Sequence, residues 1–413
     1  MTDRLPLASA TTTGPWLADP AHRAYLGADV KRHFDFFQPS LRADGGYDVL
    51  DLDGTPLPRG PQELHVTTRH IHSYALGKAA GHDGADDIID AGMDFLWRQH
   101  RDATHGGYMW SVGGAGAVDT KLAYGHVFVL LAASSARQVG HPDAERLHDD
   151  IRAVLERHFW DETHGLLREE FRRDFTSFST YRGMNANMHG VEAMLAAFEA
   201  SGDEVWLTRA GRILDFFVGR IAPAHNWRMP EHYDETWQQD PAYAGDPMFR
   251  PAGTTPGHSF ELARLQLQHW DLAGRPDNGA PERARHLVEQ AIADATLPAG
   301  GLAYTLDLAG NVAIADRYWW PVTEAIGALA ALIKIAPSDS DEAAYRALWT
   351  FADTHMVDHA RGGWFPELDE SGKPAGRQFE GKPDIYHSLQ ASLFALLPGV
   401  SAPFADLRRA AAD

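Results

Sequence analysis

A histidine and a carboxylate stand at helical spacing in residues 255–265 (TPGHSFELARL). Pro256 and Gly257 interrupt the preceding chain, and His258 and Glu261 follow, three residues apart. That spacing places both side chains on one face of a helix. Histidine has an ordinary pKa of about 6.5, so it can transfer protons near neutral pH. A lone histidine is more commonly a hydrogen-bonded core residue, so a catalytic role requires partners from other segments.

Five other segments carry comparable polar clusters with aromatic neighbours. Each cluster begins an apolar helical run, at the same position within a repeated unit. In a closed ring of repeats the starts of these helices would meet at one end of the axis, so we expect a shared pocket. The six clusters are Arg69 with His70 and His72, Lys121 with Tyr124 and His126, Asn185 with Asn187 and His189, His258 with Glu261, Trp319 with Trp320 and Glu324, and Tyr386 with His387 and Gln390.

The repeated unit is marked by a short glycine motif. It has one or two glycines, then alternating apolar and polar residues, and it often closes with Asp-x-x-Gly. Such alternation ending in a glycine turn is typical of a β-hairpin. The motifs start at residues 45, 106, 165, 226, 300 and 362. Amphipathic helices are predicted before them (85–100, 144–160, 204–221, 282–297, 342–357), and more apolar, buried helices after them (122–136, 188–200, 322–335, 387–397).

Six units of outer helix, hairpin and inner helix predict an all-α fold, an (α/α)6 barrel with short β-hairpins in the connecting loops. We expect a single domain over residues 1–413, with residues 1–18 as an extended N-terminal arm. The longest interval between motifs contains the Pro/Gly-rich segment 237–255. Long loops of this kind are commonly functional, so this insertion is predicted to cover the pocket as a lid.

Composition narrows the range of partners. The 37 basic and 57 acidic residues give a net charge of −20, which argues against nucleic acid or an anionic membrane as a partner. The absence of cysteine excludes disulfides, thiolate nucleophiles and Cys-ligated metals. No signal peptide or membrane-length apolar run is visible. We therefore expect a cytoplasmic monomer or homodimer whose substrate is a neutral small molecule, or an anion held by an arginine.

The predicted pocket combines imidazoles, amides, carboxylates and tryptophan faces. Tryptophan beside many hydrogen-bonding groups suits a sugar, and several histidines without a cysteine nucleophile favour proton abstraction next to a carbonyl. A metal site from His258, His387, His189 and Glu261 competes with this interpretation, although no HExxH spacing supports it. A glycoside hydrolase using Glu261, Glu324 or Glu231 is also compatible with the sequence, as is a non-catalytic sugar-binding toroid. His141, His148 and His269 are expected to be solvent-exposed, and His70 and His72 to serve surface or packing roles.

Six runs together resemble the N-acylglucosamine 2-epimerase superfamily, over nearly the whole chain after about residue 20. They are 68–75 (TRHIHSYA), 121–128 (KLAYGHVF), 185–192 (NANMHGVE), 256–261 (PGHSFE), 318–324 (YWWPVTE) and 384–390 (DIYHSLQ). The resemblance is greatest to the aldose–ketose isomerases that act on D-mannose or sulfoquinovose. It implies an (α/α)6 barrel and 1,2-isomerisation through a cis-enediol, with no obligatory metal or nucleotide.

The resemblance also implies residue roles. His387 would be the main base, and His258 the second acid/base. The expected reaction interconverts D-mannose and D-fructose, and also D-lyxose and D-xylulose. A sulfoquinovose isomerase and a sugar 2-epimerase, of the mannose/glucose or N-acylglucosamine type, stay open as well, because two opposed histidines would serve epimerisation at C2. The residues expected to bind substrate are Arg69, Tyr124, Asn185, His189, Glu261, Trp320, Glu324, Gln390 and, from the inserted segment, Arg250.

Overall fold

Two concentric rings of helices build the protein, and the inner ring surrounds the axis. The structure, a computed structural model, describes residues 5–57 and 60–412; residues 1–4 of the predicted N-terminal arm lie outside the described residues. Each inner helix contacts its neighbours, and the sixth contacts the first, so the ring is closed. The six inner helices, numbered here in chain order, are Leu64–Ala79, Ala123–Gln138, Met184–Ser201, Pro256–Leu272, Trp319–Ile335 and Tyr386–Leu396.

The outer helices have amphipathic sequences, so they bury one side, whereas the inner helices are apolar on nearly every side and are buried along most of their length. Helix Glu204–Leu214 buries only Trp206, Ala210, Ile213 and Leu214, which form one stripe. Helix Trp319–Ile335 buries 14 of its 17 residues. The prediction of an all-α (α/α)6 barrel is confirmed. The outer helices are Pro20–Phe37, Ala85–Phe95, Ala144–Val154, Glu204–Leu214, Ala280–Ala295 and Asp339–His355, and the π-helical turns Leu96–His100, Leu155–Phe159 and Asp215–Ile221 extend three of them.

The first and last segments of the chain complete the double ring. Helix Pro20–Phe37 packs on the sixth inner helix, so the outer helix of that pair comes from the start of the chain. Short elements flank the barrel: the 3₁₀ turns Trp16–Ala18 and Gln38–Ser40, helix Ala222–Ala224 and the final helix Pro403–Ala412. Within residues 5–57 and 60–412, no helix is long and apolar enough to cross a membrane.

Short antiparallel strands tie the loops together at the end of the barrel where the inner helices begin. The hairpin prediction is confirmed by paired strands in two repeats, where Trp160–Asp161 pairs with Leu166–Leu167 and Thr305–Leu306 with Val312–Ile314. In other repeats single antiparallel bridges close the hairpin, as between Arg101 and Tyr108 and between Val357 and Trp364. The other described strands pair between consecutive repeats, because the strand entering an inner helix pairs with the following glycine motif. Those pairs are Gln62–Glu63 with Ser111–Val112, Lys121–Leu122 with Glu170–Phe171, Arg182–Gly183 with His232–Tyr233, and Arg317–Tyr318 with Glu367–Leu368.

The expectation that His141, His148 and His269 are solvent-exposed is wrong. His148 is only 2% exposed and lies edge-on to Trp206 at 6.0 Å between ring centroids, and the His141 side chain is 7% exposed and contacts Asp90. His269 is partly buried and bonds to the Leu207 carbonyl. His70 and His72 are also buried, which fits the packing role and not the surface role. Amphipathic helices place some polar residues on their inner faces, and composition alone does not identify which ones.

Candidate active site

A cavity of about 500 Å³ opens where the six inner helices begin. Every inner helix contributes a side chain to its wall, so the six predicted clusters do converge on one place. Nine of the eleven residues predicted to act on or bind the substrate line this cavity. They are Arg69, Tyr124, Asn185, His189, Arg250, His258, Glu261, Trp320 and His387.

His387 is held against the cavity by a buried carboxylate. Its Nδ1 donates to Glu324 Oε1 at 2.8 Å, which leaves Nε2 on the cavity side. The other Glu324 oxygen accepts from Arg264 at 3.4 Å. Burial alone would raise the pKa of Glu324, but the Arg264 guanidinium and His387 hold that pKa below its usual value. A permanent negative charge therefore fixes the orientation of the His387 ring.

His258 has the same arrangement with a different carboxylate. Its Nδ1 lies 2.9 and 3.1 Å from the two oxygens of Glu231, which also accepts from the Thr255 amide. The Trp320 ring lies 5.1 Å from His258 and 5.9 Å from His387, between ring centroids. Gly257 permits this packing, because a Cβ there would lie 2.2 Å from Trp320 Cζ3. Two oriented imidazoles thus flank one aromatic face.

Arg69 forms a third fixed group in the wall. Its guanidinium donates to Asp384 at 2.8 Å and to the Tyr124 hydroxyl at 2.9 Å. It also lies 4.7 and 4.6 Å from the centroids of the Phe128 and Tyr386 rings, which contact each other edge to face. Burial raises the pKa of Tyr124 to about 12, so its hydroxyl stays protonated near neutral pH. Two aromatic contacts and two hydrogen bonds leave this arginine little freedom.

The floor of the cavity is formed by a neutral acid and a neutral imidazole. Burial and the nearby charges of Glu324 and Glu192 raise the pKa of Glu261 well above its ordinary value. Burial also lowers the pKa of His189 to about 4. His189 Nδ1 lies 3.3 Å from Glu261 Oε1, and neither Glu261 oxygen has a hydrogen-bond partner. Both groups can therefore accept or donate a hydrogen bond to a bound molecule.

The same floor contains the donor atoms of a conceivable metal site. One ligand atom each from His189, Glu192 and Glu261 lies within 4.8 Å of the others, and all three residues are buried. The donor set of one imidazole and two carboxylates fits Zn²⁺ or Mn²⁺. Arg264 lies 3.9 Å from Glu192 and 3.7 Å from Glu261. The guanidinium thus already provides positive charge beside both carboxylates.

Two predicted substrate-binding residues lie behind the wall. Glu324 contacts His387 and Arg264 and is not among the residues that line the cavity. Gln390 is also absent from the lining and lies 3.5 Å from Glu192 and 3.4 Å from His72. Because His387 occupies the cavity face, a residue three positions later lies about one turn deeper along the axis. The structure therefore gives both residues supporting positions, which differs from the predicted contact with sugar.

The sequence and structure of the chain are similar to those of known sugar-converting proteins. Residues 45–391 match the family described as N-acylglucosamine 2-epimerase (GlcNAc 2-epimerase). The chain belongs to this family. It is 39% identical over 391 residues to a D-mannose isomerase of Thermobifida fusca, covering 93% of this chain and 96% of that protein. A D-mannose isomerase of Pseudomonas cannabina pv. alisalensis is 35% identical, over 94% of this chain and 95% of the relative. A solved structure of a D-mannose isomerase superposes with a TM-score of 0.83 at 31% identity, covering 90% of this chain and 97% of that one.

Within this 2-epimerase family barrel, not every polar residue at an inner-helix start faces the cavity. His70, His126 and Asn187 each donate to the carbonyl four residues earlier. The Tyr108 amide donates to His126 Nε2, and the Leu167 amide donates to Asn187 Oδ1. These three side chains therefore anchor inner helices, two of them to the preceding glycine motif. Residues at the same position in the repeat therefore have two different roles: some line the cavity, and others anchor an inner helix away from it.

The hydrolase hypothesis finds no suitable pair of carboxylates. A glycosidase needs two carboxyl groups on either side of the scissile bond. Glu261 is held neutral and could act as a general acid, but Glu231 and Glu324 are each engaged by a histidine. None of the three proposed residues is therefore left as a free carboxylate for the second role. From the sequence, Glu231 is a candidate only as a hydrolase carboxylate. Its role as the partner of His258 is not predicted, because its glycine motif is degenerate and the pairing has no local signal in the sequence.

Proposed function

We propose that this protein is an aldose–ketose isomerase that interconverts D-mannose and D-fructose, and also D-lyxose and D-xylulose. The observation that carries the proposal is the pair His258 and His387, each with Nδ1 on a buried carboxylate and both beside Trp320. The similarity to two D-mannose isomerases over more than 90% of the chain supports the same substrate. The reaction needs one proton moved between adjacent carbons and one between adjacent oxygens.

In the proposed mechanism His387 handles the carbon-bound proton. Its Nε2 takes the C2 proton of the open-chain aldose, and the C2–H electron pair forms the C1=C2 bond of a cis-enediol as O1 gains a proton. The O2 hydroxyl then loses its proton, C2=O forms, and C1 takes the proton back from His387. His258 exchanges the oxygen-bound protons and assists ring opening. General acid–base transfer of this kind contributes about 10²- to 10⁴-fold each.

Binding and orientation come from the other wall residues. Trp320 offers an apolar face to the sugar ring. Arg69, Tyr124 and Asn185 offer donors and acceptors to hydroxyls, and the buried Asn185 Oδ1 has no protein partner. Glu261 and His189 supply neutral hydrogen-bonding groups from the floor. The carbonyl already acidifies the C2 proton, so we propose that the reaction uses no metal or nucleotide cofactor.

The test is conversion of D-mannose in deuterated water. Fructose, detected by NMR, is the expected product, with deuterium at C1 only to the extent that the proton held by His387 exchanges with solvent before it returns. Glucose as the first and main product would identify a 2-epimerase. His387→Ala should lower kcat by orders of magnitude while circular dichroism stays unchanged. His105→Ala, at an exposed position outside the cavity, is the matched control. Near-normal turnover by His387→Ala would remove this residue from the mechanism.

We also propose that the enzyme works in the cytoplasm as a monomer or a homodimer. The site supports either state, because every residue assigned a role here comes from one chain. Light scattering coupled to size-exclusion chromatography measures the assembly directly, and a larger assembly would contradict the proposal.

A further inference from the structure

The ionisable groups around the cavity are strongly unbalanced. Seven carboxyl groups line it, against two guanidinium groups, among the residues that the structure describes. Both guanidinium groups already have carboxylate partners: Arg69 donates to Asp384, and Arg250 donates to Glu170. The protein as a whole also carries a net charge of −20. An anionic sugar entering this cavity would meet negative charge with no free arginine to offset it.

Arg250 is the group that an anionic substituent would otherwise use. It lies on the inserted segment before the fourth inner helix, with its guanidinium 4.3 Å from the centroid of the Tyr181 ring. Its Nη2 lies 2.8 Å from Glu170 Oε2 and 3.6 Å from Glu169 Oε1. Planar, forked guanidinium groups are suited to carboxylates, sulfonates and phosphates. Here the guanidinium donates a hydrogen bond to Glu170, and Glu169 lies beside it, so two carboxyl groups already offset its charge.

The partner carboxylates are themselves built into the wall. Glu169 is 5% exposed, and its backbone carbonyl accepts from the Ala123 amide at the start of the second inner helix. Glu170 lies in the strand paired with Lys121–Leu122. These contacts fix the backbone of both residues at the rim, so their carboxyl groups stay within reach of Arg250. An anion would have to displace a preformed ion pair and then lie beside two carboxylates.

We infer that Glu169 and Glu170 are specificity-determining residues that occupy Arg250 and restrict the cavity to uncharged aldoses. This inference rests on the proposed isomerase function. It weighs against sugars that carry a carboxylate, sulfonate or phosphate, and so against sulfoquinovose as the physiological substrate. Specificity of this kind comes from unfavourable charge pairing against the wrong ligand.

The experiment compares kcat/KM for D-mannose and D-mannuronate, which carries a carboxylate of nearly the same size in place of the 6-hydroxymethyl group. Wild type should prefer mannose by about 100-fold or more. Glu169→Gln and Glu170→Gln, singly and together, should raise the mannuronate-to-mannose ratio by about tenfold or more by freeing Arg250. Adding Arg250→Gln to the double variant should abolish that gain. Glu235→Gln, exposed and outside the cavity, is the control and should leave the ratio unchanged.

The outcomes separate this inference from the proposed function. Wild-type protein that forms no fructose from mannose overturns the function itself. Wild type that converts mannose and mannuronate equally well overturns the charge-exclusion inference alone. The inference is also overturned if folded single and double variants, checked by circular dichroism, keep the wild-type ratio, or if the gain persists without Arg250. A rise in the ratio that depends on Arg250 supports it.

Discussion

The substitution Glu324→Gln separates the charge behind His387 from the shape of the site. Glutamine has nearly the size of glutamate, and its side-chain oxygen can still accept from His387 Nδ1. What is lost is the negative charge 2.8 Å from that nitrogen. Arg264 keeps the Glu192 carboxylate at 3.9 Å. Burial alone would raise the pKa of that carboxyl, but His189 and Arg264 hold the pKa below its usual value, so the buried cation keeps a negative partner. We therefore expect a folded protein with a weakened base.

The size of the loss follows from the hydrogen bond that changes. A hydrogen bond to a charged partner contributes about 1.5 to 3 kcal/mol and a neutral one about 0.5 to 1.5 kcal/mol, so the substitution should cost about 1 to 1.5 kcal/mol. Because about 1.4 kcal/mol corresponds to a factor of ten in rate, the kcat for mannose should fall about 5- to 13-fold. KM should change much less, because Glu324 does not line the cavity. The pKa of Glu324 is held below its usual value, so the deficit should be the same at pH 6 and pH 8.

The assay is initial-rate kinetics of fructose formation, with Glu235→Gln as the isosteric control outside the cavity. A Glu324→Gln variant whose kcat stays within twofold of wild type would refute the support that we assign to this carboxylate. A change confined to KM would place Glu324 in contact with the sugar, as its position in the sequence suggests.

Three further predictions concern stability, packing and metal dependence. Burial raises the pKa of Glu169 to about 7 in the folded protein, compared with about 4.3 in the unfolded chain. The free energy of unfolding of wild type should therefore fall by about 3 to 4 kcal/mol as pH rises from about 4.3 through 7. Glu169→Gln should raise the melting temperature more at pH 8 than at pH 5, and equal differences would contradict this. Gly257→Ala would place a methyl 2.2 Å from Trp320, so overpacking should destabilise the fold by about 1 to 3 kcal/mol, and the displaced Trp320 should lower kcat/KM; an unchanged melting temperature with unchanged kinetics would refute that clash. Exhaustive chelation should leave activity intact, whereas loss restored by Mn²⁺ or Zn²⁺ would assign the His189, Glu192 and Glu261 group as a metal site.

The architecture could be predicted because each helix type has its own pattern. Residues 204–221 carry one apolar stripe, and 322–335 are apolar on nearly every side, which assigns them to the outer and inner rings. Strand pairing is harder to predict from the sequence. Alternation of apolar and polar residues does not determine whether a two-residue strand pairs within its own repeat or with a strand of the next repeat. Partner choice at that length depends on the geometry of the closed ring.

The site could be predicted as a set, but not residue by residue. Shared position in the repeat brought His258 and His387 to one cavity, yet His126 has the same position and bonds back to its own helix. The direction of a side chain around an inner helix depends on a few tens of degrees of rotation, which sequence spacing does not resolve. The pairing of His387 with Glu324 joins two different repeats, and that of His258 with Glu231 spans 27 residues, so neither has a local signal in the sequence.

Closure of the ring has a consequence for how the protein unfolds. The Lys382 amide donates to the Leu50 carbonyl, so the loops of the last and first repeats are joined just as helices Pro20–Phe37 and Tyr386–Leu396 are. An open solenoid gains stability repeat by repeat and can fray from either end. A closed ring has no terminal repeat, and removing either end of the chain exposes two apolar faces at once. We therefore expect a single cooperative transition, and a permuted chain that keeps all six pairs should tolerate new termini better than a truncated one.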